Sequence, residues 1–172
     1  MAERYQNDVT EEIPEVDACV GIGSNGKIAE IVKNAIEGKA ENSFGAKTDL
    51  DLNTKRILGG VPYSAYLKVA DGCNNCCTYC AIPKIRGVLR SRTIEDCVKE
   101  AKELAANGVR ELIVVAQDTT AYGSDIYGKP MLSELLRQLC KIEGLHWIRT
   151  LYTYPDKIDD ELLDTVKNEE KL

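Results

Sequence analysis

Four of the seven cysteines, Cys73, Cys76, Cys77 and Cys80, fall within eight residues of one another in the segment DGCNNCCTYCAIPKIRG, Asp71 to Gly87. The odd count argues against a disulfide framework, and nothing in the sequence points to secretion. Two registers draw three thiolates from this one loop: C-x3-C-x2-C through Cys73, Cys77 and Cys80, and C-x2-C-x3-C through Cys73, Cys76 and Cys80. A cubane 4Fe-4S cluster ordinarily takes four cysteines. Three leave one iron without a protein ligand, and an open metal position is what inner-sphere chemistry on a bound substrate requires. The plainer reading of a C-x2-C pair is structural zinc. Zinc calls for a second pair of ligands some distance away, and the only histidine, His146, lies at the start of a predicted strand.

The elements that position this loop alternate strand and helix. Strand one, Ser64 to Ala70, leads into it. Thr93, with Asp96 three residues on, caps a helix in the manner of a capping box. Its apolar positions Ile94, Cys97, Val98, Ala101, Leu104 and Ala105 keep helical spacing until Gly108. Strand two, Glu111 to Ala116, holds the run LIVVA, which predicts a strand covered on both faces. A second helix sets Leu132, Leu135, Leu136, Leu139 and Cys140 on one stripe and stops at Gly144. Strand three spans Trp147 to Thr153, and Asp159 or Asp160 opens a third helix with Leu162, Leu163 and Val166. Three successive units of this kind predict an α/β fold with right-handed crossovers and a parallel sheet, open or barrel-like. Working loops then leave the C-terminal ends of the strands. The cysteine loop, Gln117-Asp118 and Tyr154-Pro155 are expected on that one side.

Residues 1–38 predict a helix ending near Pro14, a short strand at Asp17 to Gly21 and a helix from Lys27 to Glu37 closed by Gly38. That is too little to fold alone. Residues 39–62 are polar, with Gly59, Gly60 and Pro62 near their end, and read as a linker before a main domain at 63–172. The net charge of -6 is concentrated at the start, where six acids face Arg4 alone in residues 1–18. Acidity there neither demands nor excludes an RNA-containing partner elsewhere. The sequence holds no uninterrupted apolar run of about 18 residues to span a bilayer, and its acidic start is unlike a signal or transit peptide. A cytoplasmic protein with no membrane partner is expected. Cys19, Cys97 and Cys140 stand singly and read as core residues. Lys84, Arg86, Arg90 and Arg92 read as a solvated basic face, with Arg86 the alternative candidate for holding the loop.

The C-x3-C-x2-C register, with Tyr79 just before the last cysteine, resembles the radical S-adenosylmethionine (SAM) superfamily. CTYCAIP, IRG, the helix IEDCVKEAKELAANGV, VAQDTTAYG and LYTYP resemble its methylthiotransferases. AQDTT is nearer the ribosomal-protein branch (RimO-like) than the transfer-RNA branch, whose loop reads GQN. The resemblance implies a partial radical SAM (β/α) barrel, its first three β/α units, preceded by the tail of a small α/β methylthiotransferase N-terminal domain. It implies that Cys73, Cys77 and Cys80 hold the 4Fe-4S cluster while SAM fills the open iron. Tyr79 matches the position near the SAM adenine, and Gln117 the position near its amino group. Cys76 departs from the usual pattern. The family register selects Cys77 over it, and adjacent side chains seldom point at one cluster. No catalytic residue is assigned; Asp118 and Thr119 are candidates for substrate contact, which nothing in the spacing demands.

By the same resemblance, the expected function is transfer of a methylthio group to an aspartate of a small-subunit ribosomal protein of the S-twelve type. One SAM donates a methyl group and another is cleaved reductively. The partners implied are that ribosomal protein and a reductant such as flavodoxin or ferredoxin, with RNA contact only through a further domain. The family's second cluster and its RNA-binding-type β domain match nothing in these residues. An internal piece is therefore expected, able to bind one cluster and to cleave SAM weakly, with unpaired sheet edges that favour self-association. The alternatives are a transfer-RNA adenosine methylthiotransferase and, in another class, an iron-sulfur electron carrier or a non-catalytic binding fragment. A carrier would want four ligands and no open iron. The two registers differ in one experiment: Cys77→Ala abolishes the iron and sulfide taken up on anaerobic reconstitution while Cys76→Ala leaves both, and the reverse result assigns the other register.

Overall fold

The computed structural model describes residues 1–53, 57 and 59–172. Residues 54–56 and 58, within the expected linker, lie outside the described residues. Along the chain run α1 (Ala2–Tyr5), α2 (Asp8–Glu12), a 3-10 segment (Ile22–Lys27) and α3 (Ile28–Ile36). A second 3-10 turn (Lys47–Asp49) precedes β1 (Ser64–Lys68), β2 (Ala70–Asp71), α4 (Ile82–Arg86), β3 (Arg90–Ser91) and α5 (Ile94–Ala106). Then come β4 (Glu111–Val115), α6 (Ser124–Tyr127), α7 (Leu132–Cys140), β5 (Trp147–Thr150), a 3-10 turn (Pro155–Lys157) and α8 (Asp160–Asn168). Two compact units result, one of residues 1–51 and 75–87, the other of residues 52–74 and 88–172.

In the larger unit β4 pairs in parallel with β1 on one side and β5 on the other. The register aligns Ala65, Leu112 and Ile148 in one row, and Leu67 with Val114 in another, all buried. Helices α5 and α8 each start at a side-chain cap. Thr93 Oγ1 accepts from the Asp96 N–H at 3.1 Å and donates to the Asp96 carboxylate at 2.9 Å, while Asp159 Oδ1 accepts from the Leu162 N–H at 2.8 Å. Each such cap stabilises its helix by about 1 kcal/mol. α5 buries Cys97, Ala101, Leu104 and Ala105 and packs on β1, while α7 buries Leu132, Leu135, Leu136, Leu139 and Cys140 and packs on β5. A leucine taken fully out of water there contributes about 2 kcal/mol.

The parallel α/β architecture is the expected one, with corrections in detail. β1 ends at Lys68, and Ala70–Asp71 pair instead with Arg90–Ser91 in a separate antiparallel ribbon. β4 is covered on one face only: Leu112 and Val114 are buried, whereas Ile113 and Val115 are half-buried. Apolar composition alone did not separate the two faces. Tyr66, Trp147 and Arg149 stand exposed on that second face, where the Arg149 guanidinium lies over the Trp147 ring. β5 stops at Thr150, because Tyr152 takes a left-handed backbone (φ 61°) that cannot continue a strand. The outer edge of β5 is covered at one point, where the Ile148 N–H donates to Lys171 O at 2.7 Å. On α8, Leu162 and Thr165 are buried, while Leu163 and Val166 face outward.

In the smaller unit the expected first helix is two short helices, broken where Gln6 adopts φ 44°. The expected strand at Asp17 to Gly21 reduces to a single bridge between Val20 and Ser43. Buried Ser24 organises this region, accepting from the Ser43 hydroxyl at 2.9 Å and the Gly45 N–H at 2.8 Å. A Cβ on Gly23 would come within 2.0 Å of Ala46 O, so only glycine fits that close approach. Cys19, Cys97 and Cys140 are buried and free, as expected. Among the described residues no helix is long and apolar enough to cross a membrane.

Arg92, expected on a solvated face, is buried instead. Its guanidinium donates to Asn53 Oδ1 (2.7 Å), Lys68 O (2.9 Å) and the Glu100 carboxylate, and its own carbonyl accepts from the buried Tyr122 hydroxyl at 2.8 Å. Arg92→Met removes the cation that faces Glu100 and should cost about 3 kcal/mol; an unchanged urea midpoint would show that this network does not stabilise the fold. Burial pushes the Cys97 and Cys140 thiols up, each to about 11 from an ordinary 9.0. A raised thiol favours the fold fully below pH 9 and loses that contribution as pH climbs through 11. Melting temperature is therefore expected to fall between pH 9 and pH 11, and Cys97→Ala to flatten part of that slope; an identical slope in the variant would exclude Cys97 as a source.

Candidate functional site

The cysteine loop leaves β2 through a fixed joint in the larger unit. Asp71, fully buried, lies 3.0 Å from Lys68 Nζ and 3.6 Å from Arg90 Nη2, and the β2–β3 ribbon sets it directly opposite Arg90. A carboxylate out of water is tolerated only with partners of this kind. Arg90 thus joins Arg92 as a basic residue turned into the protein, contrary to the solvated-face expectation. Gly72 then takes φ +74°, a conformation a side chain would strain, and turns the chain into the loop. Asn74 Oδ1 accepts from the Leu89 N–H at 2.9 Å, tying the outgoing chain to the returning one. Cys73 sits between these anchors at 9% exposure.

In the smaller unit the Cys80 N–H donates to Cys77 O at 3.0 Å, closing a turn over Thr78 and Tyr79. Cys77 and Cys80 are half-buried, Cys76 is exposed, and Tyr79 is 91% exposed. α4 follows directly, with Pro83 in its first turn and Arg86, half-buried, in its last. The Lys47 ammonium donates to Lys84 O. None of the seven cysteines is in a disulfide. Among the described residues no three His, Cys, Asp or Glu side chains are grouped closely enough to hold a metal ion. The turn joins Cys77 to Cys80, and Cys73 belongs to the other unit. The donor chemistry suits an iron-sulfur cluster: unbridged thiols, clustered in sequence, with no competing disulfide.

Gln117, Asp118, Thr119 and Thr120 leave the end of β4, and the last three are almost wholly buried. Each of those three is bonded to the chain that leaves β5. Asp118 accepts from Lys157 Nζ at 2.6 Å, and within its own loop from the Thr120 hydroxyl and from the Ala121 N–H at 3.2 Å. Thr119 donates its N–H to Tyr152 O (3.1 Å) and its hydroxyl to Leu151 O (2.9 Å), while the Thr120 hydroxyl oxygen accepts from the Tyr154 N–H at 3.4 Å. Asp118 and Thr119 therefore serve the scaffold. Gln117 differs: its Oε1 is buried with no hydrogen-bond partner. An unsatisfied buried acceptor at the end of a parallel strand fits a ligand that donates, such as an ammonium group. His146 is exposed at the opposite end of the sheet, before β5.

Sequence reasoning missed Asp71, Asn74, Asp118 with Lys157, and the left-handed Tyr152. One signal was available for Asp118, a run of four polar residues straight after an apolar strand. Lys157 lies 39 residues away and carries no mark of its role.

Residues 67–170 match the sequence profile of the Radical SAM superfamily. Over 173 aligned residues the chain is 48% identical to the ribosomal protein uS12 methylthiotransferase RimO of Thermoanaerobacter sp. and 49% identical to the protein of the same name from Lachnoclostridium phytofermentans. It is 46% identical to that of Clostridium botulinum. All of this chain is covered in each case, and the chain spans about two-fifths of the length of these relatives. The superfamily match takes in the cysteine loop and the strands on either side of Gln117, more than half of the sequence, and the chain belongs to the radical SAM superfamily.

Proposed function

We propose that the chain is the cofactor-binding part of a radical SAM methylthiotransferase that modifies an aspartate of ribosomal protein uS12. Similarity along the whole chain to uS12 methylthiotransferases carries this reading. Residues 63–172 form the first part of the radical SAM barrel, residues 39–62 the linker, and residues 1–38 the tail of the preceding domain. Cys73, Cys77 and Cys80 hold the 4Fe-4S cluster, and Cys76 stays outside it. When bound, that cluster supplies the electron for reductive cleavage of SAM. The chain's own residues bind and orient. Gln117 Oε1 accepts from the SAM ammonium, which gives the orphaned oxygen its partner. Tyr79, exposed one residue before Cys80, offers its ring to the adenine. The Asp71 joint and the Asn74 bond fix where Cys73 starts the loop.

The protein works in the cytoplasm, where its ribosomal substrate and a flavodoxin- or ferredoxin-type reductant are at hand. Two measurements test the reading. Reconstituted anaerobically and reduced with dithionite, the chain should release 5′-deoxyadenosine from SAM; a cluster whose EPR spectrum ignores SAM, with no nucleoside formed, defeats it. Deleting the gene should remove a methylthio group from uS12, read by mass spectrometry of ribosomal proteins, and leave methylthioadenosine in transfer RNA unchanged. Loss from transfer RNA instead would assign the other branch.

A further inference from the structure

We propose that Asp118 and Lys157 are positioning residues for SAM, because their salt bridge ties the β4 loop to the β5 loop and so holds Gln117 at the end of its strand. This rests on the reading of Gln117 as a SAM contact.

The geometry isolates Gln117 as the working member of its loop. Of the four polar residues after β4, three spend their hydrogen bonds on the protein, and Gln117 alone keeps a buried oxygen without a partner. Nothing bonded to Gln117 Oε1 fixes its place, so its backbone must. That backbone is continuous on one side with β4, hydrogen-bonded to both neighbours, and on the other with Asp118. Asp118 is 2% exposed. Its two oxygens divide the work: Oδ1 takes the Thr120 hydroxyl and the Ala121 N–H, closing the loop on itself, and Oδ2 takes Lys157 Nζ at 2.6 Å. Lys157 lies in the 3-10 turn after β5, and its ammonium also stands 5.4 Å from the centre of the Tyr154 ring.

Among the bonds described between these two loops, the salt bridge is the charged one and those of Thr119 and Thr120 are neutral. Tyr152, the neighbour that receives the Thr119 N–H, pays for its place with a left-handed backbone, so the β5 side is held in a costly shape that its partners must maintain. Without Lys157 the Asp118 charge is buried with one cation fewer, and the carboxylate must turn toward water. That rotation pulls on the residue beside it. A displacement of about 1 Å at a positioned group costs up to about a hundredfold in what that group does.

The test uses the full chain, reconstituted anaerobically, with three variants: Lys157→Met, Lys157→Arg and the double variant Asp118→Asn with Lys157→Met. The double variant removes the pair without stranding a charge, which keeps the fold intact. Iron content and the EPR spectrum of the reduced cluster without SAM are recorded first, and SAM is then titrated to read its Kd from the spectral change. Lys157→Met and the double variant should weaken SAM binding about tenfold, the low end of what outer-layer partners of a site contribute. Iron content and the spectrum without SAM should stay those of the wild type, and Lys157→Arg should restore binding. Wild-type SAM affinity in both Lys157→Met and the double variant overturns the proposal, as does a loss of affinity that merely tracks a loss of iron. A wild-type cluster that gives no response to SAM overturns instead the reading of the site on which the proposal rests.

Discussion

Parallel hydrogen bonding of β4 to β1 and to β5 constrains the larger unit more than any single side chain does. Strands paired this way finish at the same end, so the chain entering the cysteine loop, the loop begun by Gln117 and the loop begun by Leu151 leave from one side of the sheet. The helices that return the chain, α5 and α7, pack on one face through buried leucine, alanine and cysteine. The opposite face keeps Tyr66, Trp147 and Arg149 in solvent. Chemistry placed at the strand ends is then separated from the apolar packing that holds the strands together.

Buried charge gathers at the ends of strands in both the parallel sheet and the β2–β3 ribbon. Asp71 at the end of β2, Arg92 just after β3 and Asp118 just after β4 are each nearly devoid of solvent, and each meets opposite charge. Burying such groups costs several kcal/mol apiece before their partners are counted. What the cost secures is direction. A carboxylate with cations at 3.0 and 3.6 Å, or an arginine with four acceptors, has little freedom to rotate, and the backbone beside it inherits that order. In this unit those backbones lead into Cys73 and Gln117.

The chemistry left over is sparse and specific. Clustered thiols outside any disulfide, the exposed Tyr79 ring among them and the buried Gln117 amide oxygen without a hydrogen-bond partner stand apart from the packed core. Such groups suit radical SAM chemistry, in which the cofactor carries the reactive bond and the protein binds and orients it. The similarity to uS12 methylthiotransferases agrees with that division of labour.

The sequence by itself determined the class of the fold, the cap at Thr93, a helix start at Asp159 or Asp160, the stripes of α5 and α7, and the cysteine loop with its link to the superfamily, because these depend on spacing between near neighbours. It could not say that β1 would stop at Lys68, that only one face of β4 would be covered, or that Arg90 and Arg92 would turn inward. Each of those outcomes depends on a partner far along the chain: Arg90 is half-buried because Asp71 lies across the ribbon, and Arg92 is buried because Asn53 and Glu100 receive it. Gln117 was singled out by its match to a superfamily position, whereas Lys157 carried no signal, since a lysine acquires meaning only when a buried carboxylate 39 residues away has no water to turn to. Local spacing is written in the sequence, and the pairing of charges removed from water is decided only by the tertiary fold that brings them together.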